Sequence, residues 1–207
     1  MMVNSERLPR TIITIGASAG GVEALRTLFS KLPIDLPATV LTVIHRSPTH
    51  VSGMTAVLGH RALIRVDEAV DGDPIEPGRV YIAPADAHLV IEAGRLRLHR
   101  SPKVHFTRPA VDPLFTSAAA FYGARVVGVL LSGGGDDGVS GLIAIKAAGG
   151  LSLVQHPAEA AVSSMPLNAI AFDHVDAILS LDAIASALVT LASGGVVEHP
   201  RETEAAG

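Results

Sequence analysis

The chain contains no cysteine and no tryptophan, and aromatic residues make up only 3% of its 207 residues. Without cysteine there is no disulfide, no thiolate nucleophile and no cysteine-ligated metal centre. With so few aromatics the core has to be built from Val, Leu, Ile and Ala, which suits strands covered by helices on both faces. Charged residues are only 17% against 48% hydrophobic, a balance that excludes a disordered chain. A net charge of −4 leaves no electrostatic footprint for nucleic acid. No apolar run reaches the ~18 residues that a membrane span needs. Glu6 and Arg7 stand where a secretory signal would need an apolar core. No membrane insertion and a cytoplasmic location are therefore expected. No repeat, low-complexity block or internal linker breaks the chain, and its length fits one α/β domain.

What is present begins at Thr11. The β-branched, uncharged run Thr11 to Ile15 reads as a buried strand, and Val22, Leu25, Leu28 and Phe29 follow at helical spacing. Between them lies Gly16-Ala17-Ser18-Ala19-Gly20-Gly21, small residues suited to a sharp strand-to-helix turn. The spelling is Gly-x-Ser-x-Gly in the strand–turn–helix context of a nucleophile elbow. Two other readings stand beside it: a tight turn in which Ser18 caps the helix, and a glycine cradle for a phosphate.

Ala38 to Ile44 is a second buried strand, ending at His45-Arg46-Ser47-Pro48. One helix between two strands makes a βαβ unit, so the strands run parallel and their C-terminal ends share one rim. Val51 to Leu58 reads as a short helix, Leu63 to Val66 and Val80 to Ala83 as strands, and His88 to Ile91 with Leu96 to Arg100 as a hairpin around Glu92-Ala93-Gly94-Arg95. Ser101 to Pro109 reads as a charged, irregular loop. Val111 to Phe121 reads as a helix with Leu114, Phe115, Ala118 and Phe121 facing inward. Val126 to Leu131, the most apolar strand, runs into Ser132-Gly133-Gly134-Gly135-Asp136-Asp137-Gly138 and a helix from Val139 to Ala148. Strands at Leu151 to Gln155 and Val175 to Leu179 and helices at Met165 to Phe172 and Leu181 to Leu191 complete the pattern. The expected fold is a doubly wound, mostly parallel sheet with helices on both faces and an antiparallel hairpin insertion. The expected division is a lead-in over 1–10, a catalytic domain over 11–193 and a flexible tail over 194–207.

Two glycine-dense turns thus follow buried strands. If both strands belong to one parallel sheet, Ser18, His45 and an acid from Asp136-Asp137 converge on one rim. That combination supplies a nucleophile, a general base and a group to orient the base. The backbone N–H groups of Gly133 to Gly135 can approach a reacting carbonyl without a side chain in the way. Among the other histidines, His50, His60, His99 and His199 sit in polar contexts and read as surface, while His88, His105, His156 and His174 stay open as pocket residues. Asp136 and Asp137 can also serve simply to begin a helix favourably. Against nucleotide binding, no Gly-Lys-Ser/Thr follows either turn. No His-rich or acidic spacing points to a metal, and no cofactor is expected.

The segments Ile-Gly-Ala-Ser-Ala-Gly-Gly-Val-Glu-Ala-Leu, Val-Ile-His-Arg-Ser-Pro, Val-Tyr-Ile-Ala-Pro-Ala-Asp-Ala-His, Arg-Pro-Ala-Val-Asp-Pro-Leu-Phe, Val-Leu-Leu-Ser-Gly-Gly-Gly-Asp-Asp-Gly and Val-Ser-Ser-Met-Pro-Leu-Asn-Ala-Ile resemble, in order, those of the chemotaxis protein-glutamate methylesterases, the CheB catalytic domain. The likeness runs from about Thr11 to Leu191. It implies a Ser–His–Asp hydrolase that demethylates glutamyl methyl esters on the cytoplasmic helices of chemoreceptors, some members also deamidating glutamines. It implies Ser18 as nucleophile, His45 as base, Asp137 in preference to Asp136 as the orienting acid, and the Gly134 N–H as oxyanion donor. Ala19 stands where the family usually has Thr, and Gly134 where it usually has Met. Best-known members carry an N-terminal phosphorylatable receiver domain; about ten residues precede the catalytic segment here, so that regulation is expected to be absent from this chain. The alternative kept open is a catalytically divergent module of the same fold that binds a receptor, a methyltransferase or another signalling partner.

Overall fold

The computed structural model describes residues 11–46, 53–173 and 175–197. Among the described residues nine strands and six α-helices follow in chain order: β1 (Ile12–Ala17), α1 (Gly21–Phe29), β2 (Thr39–Ile44), α2 (Met54–Gly59), β3 (Arg65–Glu68), β4 (Arg79–Ile82), β5 (His88–Glu92), β6 (Arg95–His99), α3 (Val111–Tyr122), β7 (Val126–Leu130), α4 (Val139–Ala147), β8 (Leu151–Gln155), α5 (Ser164–Asp173), β9 (Ala177–Leu179) and α6 (Leu181–Ala192). Seven strands form one sheet in the order β3-β4-β2-β1-β7-β8-β9, and every pairing in it is parallel. β5 and β6 form a separate antiparallel hairpin.

β1 lies at the centre because all six of its residues are buried, and only a strand covered on both faces can be wholly apolar or small. Its neighbours are β2 on one side and β7 on the other, so strand order reverses there. That reversal opens a crevice beyond the strand C-termini, the usual place for a ligand in an open α/β sheet. One face carries Ile13, Ile15 and Ala17 of β1 against Leu25, Leu28 and Phe29 of α1 and Ile184 and Leu188 of α6. The other carries Ile12, Leu41 and Val126 against Leu114 and Phe115 of α3, Leu142 and Ile145 of α4, and Met165 of α5. On this second face the last position of β1 is Gly16, which presents no side chain. A β-carbon at Gly16 would stand 2.5 Å from Val111 Cγ1, so glycine there lets the first turn of α3 lie directly over the end of β1. Gly141 of α4 abuts Phe115 of α3 in the same way, bringing these two helices together at their N-terminal ends.

The expected fold class is the observed one, with differences of detail. β1 runs two residues further than expected, through Gly16 and Ala17, so the turn is only Ser18 to Gly20. β3 begins at Arg65 and not at Leu63. Residues 51–52 of the expected short helix lie outside the described residues, as do the lead-in over 1–10 and the tail from 198. Phe121 does not face inward: it is 47% exposed. Four residues beyond Ala118 the inward position falls to Tyr122, which packs partly buried against the core, while Phe121 meets it edge-on at 5.0 Å between ring centroids. Among the described residues no helix is long and apolar enough to cross a membrane.

Candidate active site

Ser18 is the first residue beyond β1. Its N–H donates to Ser132 O at 3.0 Å and its carbonyl accepts from Gly21 N–H at 2.8 Å. The cap of α1 is Gly20, in the left-handed region at φ 76° and with no side-chain capping bond. The helix-cap reading of Ser18 therefore fails, and among the described residues its hydroxyl makes no hydrogen bond. Across from it, a β-carbon at Gly133 would stand 2.8 Å from Ser18 Cβ, so the second glycine turn can close on the serine only because position 133 has none. Ser132 ties the turns together. Its hydroxyl donates to Ala19 O (2.8 Å) and accepts from Val162 N–H (2.9 Å), and its N–H donates to buried Gln155 Oε1 (2.8 Å).

His45 follows β2 as Ser18 follows β1. Its N–H donates to Ala17 O at 3.0 Å, which sets the two residues side by side on the rim. Its ring Nε2 lies 2.6 Å from Asp137 Oδ2, with side-chain exposures of 14% for His45 and 2% for Asp137. Asp137 also accepts from Val111 N–H at 2.7 Å and Asp112 N–H at 3.0 Å. Burial opposes ionisation of this carboxyl. The hydrogen bonds from His45 and the two amides outweigh burial and hold it below the ordinary carboxylate value. An ionised carboxylate can only accept, so Nε2 faces Asp137 as the donor and Nδ1 is the ring nitrogen turned away from the acid. The assignment is opposite to that of the chymotrypsin triad, where the carboxylate holds Nδ1.

The carboxylate bonds reveal a device that sequence reasoning missed. Helix α3 begins after Ala110 and α4 after Gly138, and neither has a side-chain cap of its own. Asp137, just ahead of α4, caps α3. Asp112, in the first turn of α3, caps α4 by accepting from Gly138 N–H (3.0 Å) and Gly141 N–H (2.7 Å). Each helix thus receives the carboxylate that its N-terminal dipole favours from the other. Asp112 Oδ2 meets His105 Nε2 at 2.9 Å, and His105 Nδ1 meets Asp136 Oδ1 at 3.1 Å. Of the two neighbouring acids, then, Asp137 turns in to His45 and Asp136 turns out to His105. Burial pushes the Asp112 carboxyl up, as does the nearby Asp137 charge, against the amide and histidine bonds. Burial also opposes a charge on His105, but the bond from Asp112 and the charges of Asp137, Asp112 and Asp136 prevail and raise it. His105, Asp112 and Asp137 bring possible metal-ligating atoms within 4.8 Å of one another. Those atoms are already engaged with each other, with His45 and with four backbone amides, so the set reads as a hydrogen-bond network.

The remaining histidines sort themselves. His88 is buried, with Nε2 3.1 Å from Pro102 O and Nδ1 accepting from Ala110 N–H at 3.2 Å, a structural post at the start of α3. His60 and His156 are exposed, and His99 pairs with Glu92 on the hairpin surface. His50, His174 and His199 lie outside the described residues. In the second glycine turn Gly133 N–H is spent on Val162 O at 2.9 Å, whereas Gly134 N–H has no hydrogen-bond partner among the described residues. The amides of Ser18, Gly21, Gly133, Gly138 and Gly141 are all occupied within the protein, which weighs against the phosphate-cradle reading.

A family model for the CheB methylesterase matches residues 13–188. The chain belongs to the CheB methylesterase family. A protein-glutamate methylesterase/protein-glutamine glutaminase of Anaeromyxobacter dehalogenans is 45% identical over 177 residues, covering 86% of this chain and 52% of that protein. One from Pyrococcus horikoshii is 37% identical over 184 residues, 87% of this chain and 50% of its own length. The chain therefore spans about half the length of these curated relatives. The crystal structure of the Thermotoga maritima CheB methylesterase catalytic domain superposes with a TM-score of 0.83 at 32% identity, covering 88% of this chain and 98% of that one. The matched region of this chain thus has the fold of a CheB methylesterase catalytic domain.

Proposed function

We propose that this CheB-family chain is a protein-glutamate methylesterase acting on glutamyl methyl esters of chemoreceptor cytoplasmic helices, with Ser18 as nucleophile, His45 as general base and Asp137 as the orienting acid. The observation that carries the reading is the 2.6 Å contact between His45 Nε2 and Asp137 Oδ2, on the rim where the His45 N–H bonds Ala17, the residue before Ser18. Ser18 Oγ attacks the ester carbonyl as His45 Nδ1 takes its proton, and Asp137 stabilises the imidazolium so formed. The oxyanion is met by Gly134 N–H, an amide with no competing acceptor among the described residues. Collapse expels methanol, protonated by His45. Water then repeats the sequence on the acyl-serine and frees the glutamate carboxylate. An amide substrate follows the same path with ammonia leaving, which is glutamine deamidation.

The departures at Ala19 and Gly134 motivate the reading as a divergent binding module. The intact carboxylate–imidazole pair favours the enzyme: capping α3 accounts for a buried Asp137 carboxylate but not for its bond to a histidine on the rim that carries Ser18. Methanol release from methylated receptor fragments, compared between wild type and Ser18→Ala, tests the proposal. Loss of the nucleophile is expected to cost on the order of 10³-fold or more in rate with folding intact. Full activity in Ser18→Ala, or failure of a serine-directed phosphonate to label Ser18, would refute it.

A further inference from the structure

Val104 and Thr107 face each other across a two-residue hairpin, Val104 N–H donating to Thr107 O at 3.1 Å and Thr107 N–H to Val104 O at 2.9 Å. Between them His105 and Phe106 both have positive φ, 48° and 61°. Two successive left-handed residues make a type I′ turn, a conformation that Asn-Gly or Gly-Gly adopts readily and that a β-carbon resists. For His105 the reason is visible: both ring nitrogens are held by carboxylates. For Phe106 nothing among the described residues supplies one. Its side chain is 96% exposed and adds nothing to the core.

The turn is firmly mounted. Thr107 Oγ1 donates to Val104 O at 3.0 Å, and Arg108 reaches Asp86 Oδ1 through Nε (3.0 Å) and Nη2 (2.7 Å) and Ser101 O through Nη1 (2.7 Å). It also stands at the catalytic rim. Thr107 Oγ1 is 3.5 Å from His45 Nε2, and Asp136, which holds His105, directly precedes Asp137. Strained backbone that lifts an apolar ring into water beside a reacting centre is a feature that folding alone does not select.

We infer that Phe106 is a specificity-determining residue that docks an aliphatic side chain of the substrate's own helix, one turn away from the esterified glutamate. The inference rests on the methylesterase reading above. On a helix, residues three and four apart share a face, so a glutamyl ester seated at Ser18 presents those neighbours to the rim. A phenyl ring offers them a large apolar contact at little rotamer cost.

The test compares wild type, Phe106→Ala and Phe106→Leu on two probes: a methylated receptor cytoplasmic fragment and a short peptide carrying one glutamyl γ-methyl ester. The ratio of kcat/KM on the fragment to that on the short ester is expected to fall about tenfold or more in Phe106→Ala, mainly through KM, as loss of one well-buried aromatic contact implies. Phe106→Leu should recover part of that ratio. An unchanged ratio in Phe106→Ala, or an equal loss on both probes, would overturn the inference while leaving the esterase intact. A wild-type chain inert on both probes would remove the methylesterase reading itself, and the inference with it.

Discussion

Replacing Asp137 by Ala is the sharpest perturbation, because one carboxylate serves chemistry and architecture together. Its side chain is 2% exposed, so solvent screening does not dilute its bonds. The substitution strips His45 of its partner and leaves the amides of Val111 and Asp112 without acceptors at the start of α3. Losing a helix cap costs about 0.5–2 kcal/mol, and a hydrogen bond to a charged group contributes about 1.5–3 kcal/mol. Since water can enter part of the vacated space, a total loss of about 2–5 kcal/mol is expected. Activity should fall on the order of 10⁴-fold, the scale on which an orienting acid acts in serine hydrolases. Asp137→Asn should be nearly as inactive, because an amide NH₂ facing Nε2 stabilises the tautomer in which Nδ1 already carries its proton. The pH dependence supplies a third reading. The folded Asp137 carboxyl titrates below its ordinary value of 3.8. Its stabilisation is therefore complete above that value and lost as pH falls through the folded pKa, so the acid-induced loss of stability should be shallower in Asp137→Ala. Urea unfolding at pH 7 and at steps from pH 4 down to pH 2, with methanol release at pH 7, measures all three. A stability loss under about 1 kcal/mol, or a rate within tenfold of wild type, would refute the double role assigned to this residue.

Two further outcomes are expected. Gly134→Ala should fold normally and keep activity within a few-fold, because the nearest atom to its added β-carbon is Ser164 Oγ at 3.9 Å and the donating amide is retained; kinetics and thermal unfolding of that variant check it, and a loss comparable to that of Ser18→Ala would remove Gly134 from the oxyanion site. His105 titrates above its ordinary 6.5, so its contribution is present in full below that value and is lost as pH rises through the folded pKa. The melting temperature of wild type should accordingly drop more between pH 6 and pH 9 than that of His105→Gln, and parallel curves would mean that the charge on His105 does not brace the loop.

Runs of uncharged β-branched residues separated by amphipathic helices were enough to determine the parallel sheet, because strand and helix periodicity are properties of near neighbours. The turn after each central strand was legible for the same reason, and with it the placing of Ser18, His45 and the Asp136-Asp137 pair on one rim. The choice between those two acids was not readable from spacing: it depends on which carboxylate finds the α3 amides 25 and 26 residues away. The cross-capping of α3 and α4 was hidden because Ala110 and Gly138, the local cap positions, carry no capping group. Ser132 was invisible as a hub because its partner Ala19 lies 113 residues away in the chain. Phe121 was assigned to the core by a spacing that fits Tyr122 as well, and only the packed sheet separates them. Periodicity and turn chemistry are written locally, whereas hydrogen-bond partnership and the inward side of a helix end are settled when distant segments meet and the remaining buried donors must find acceptors.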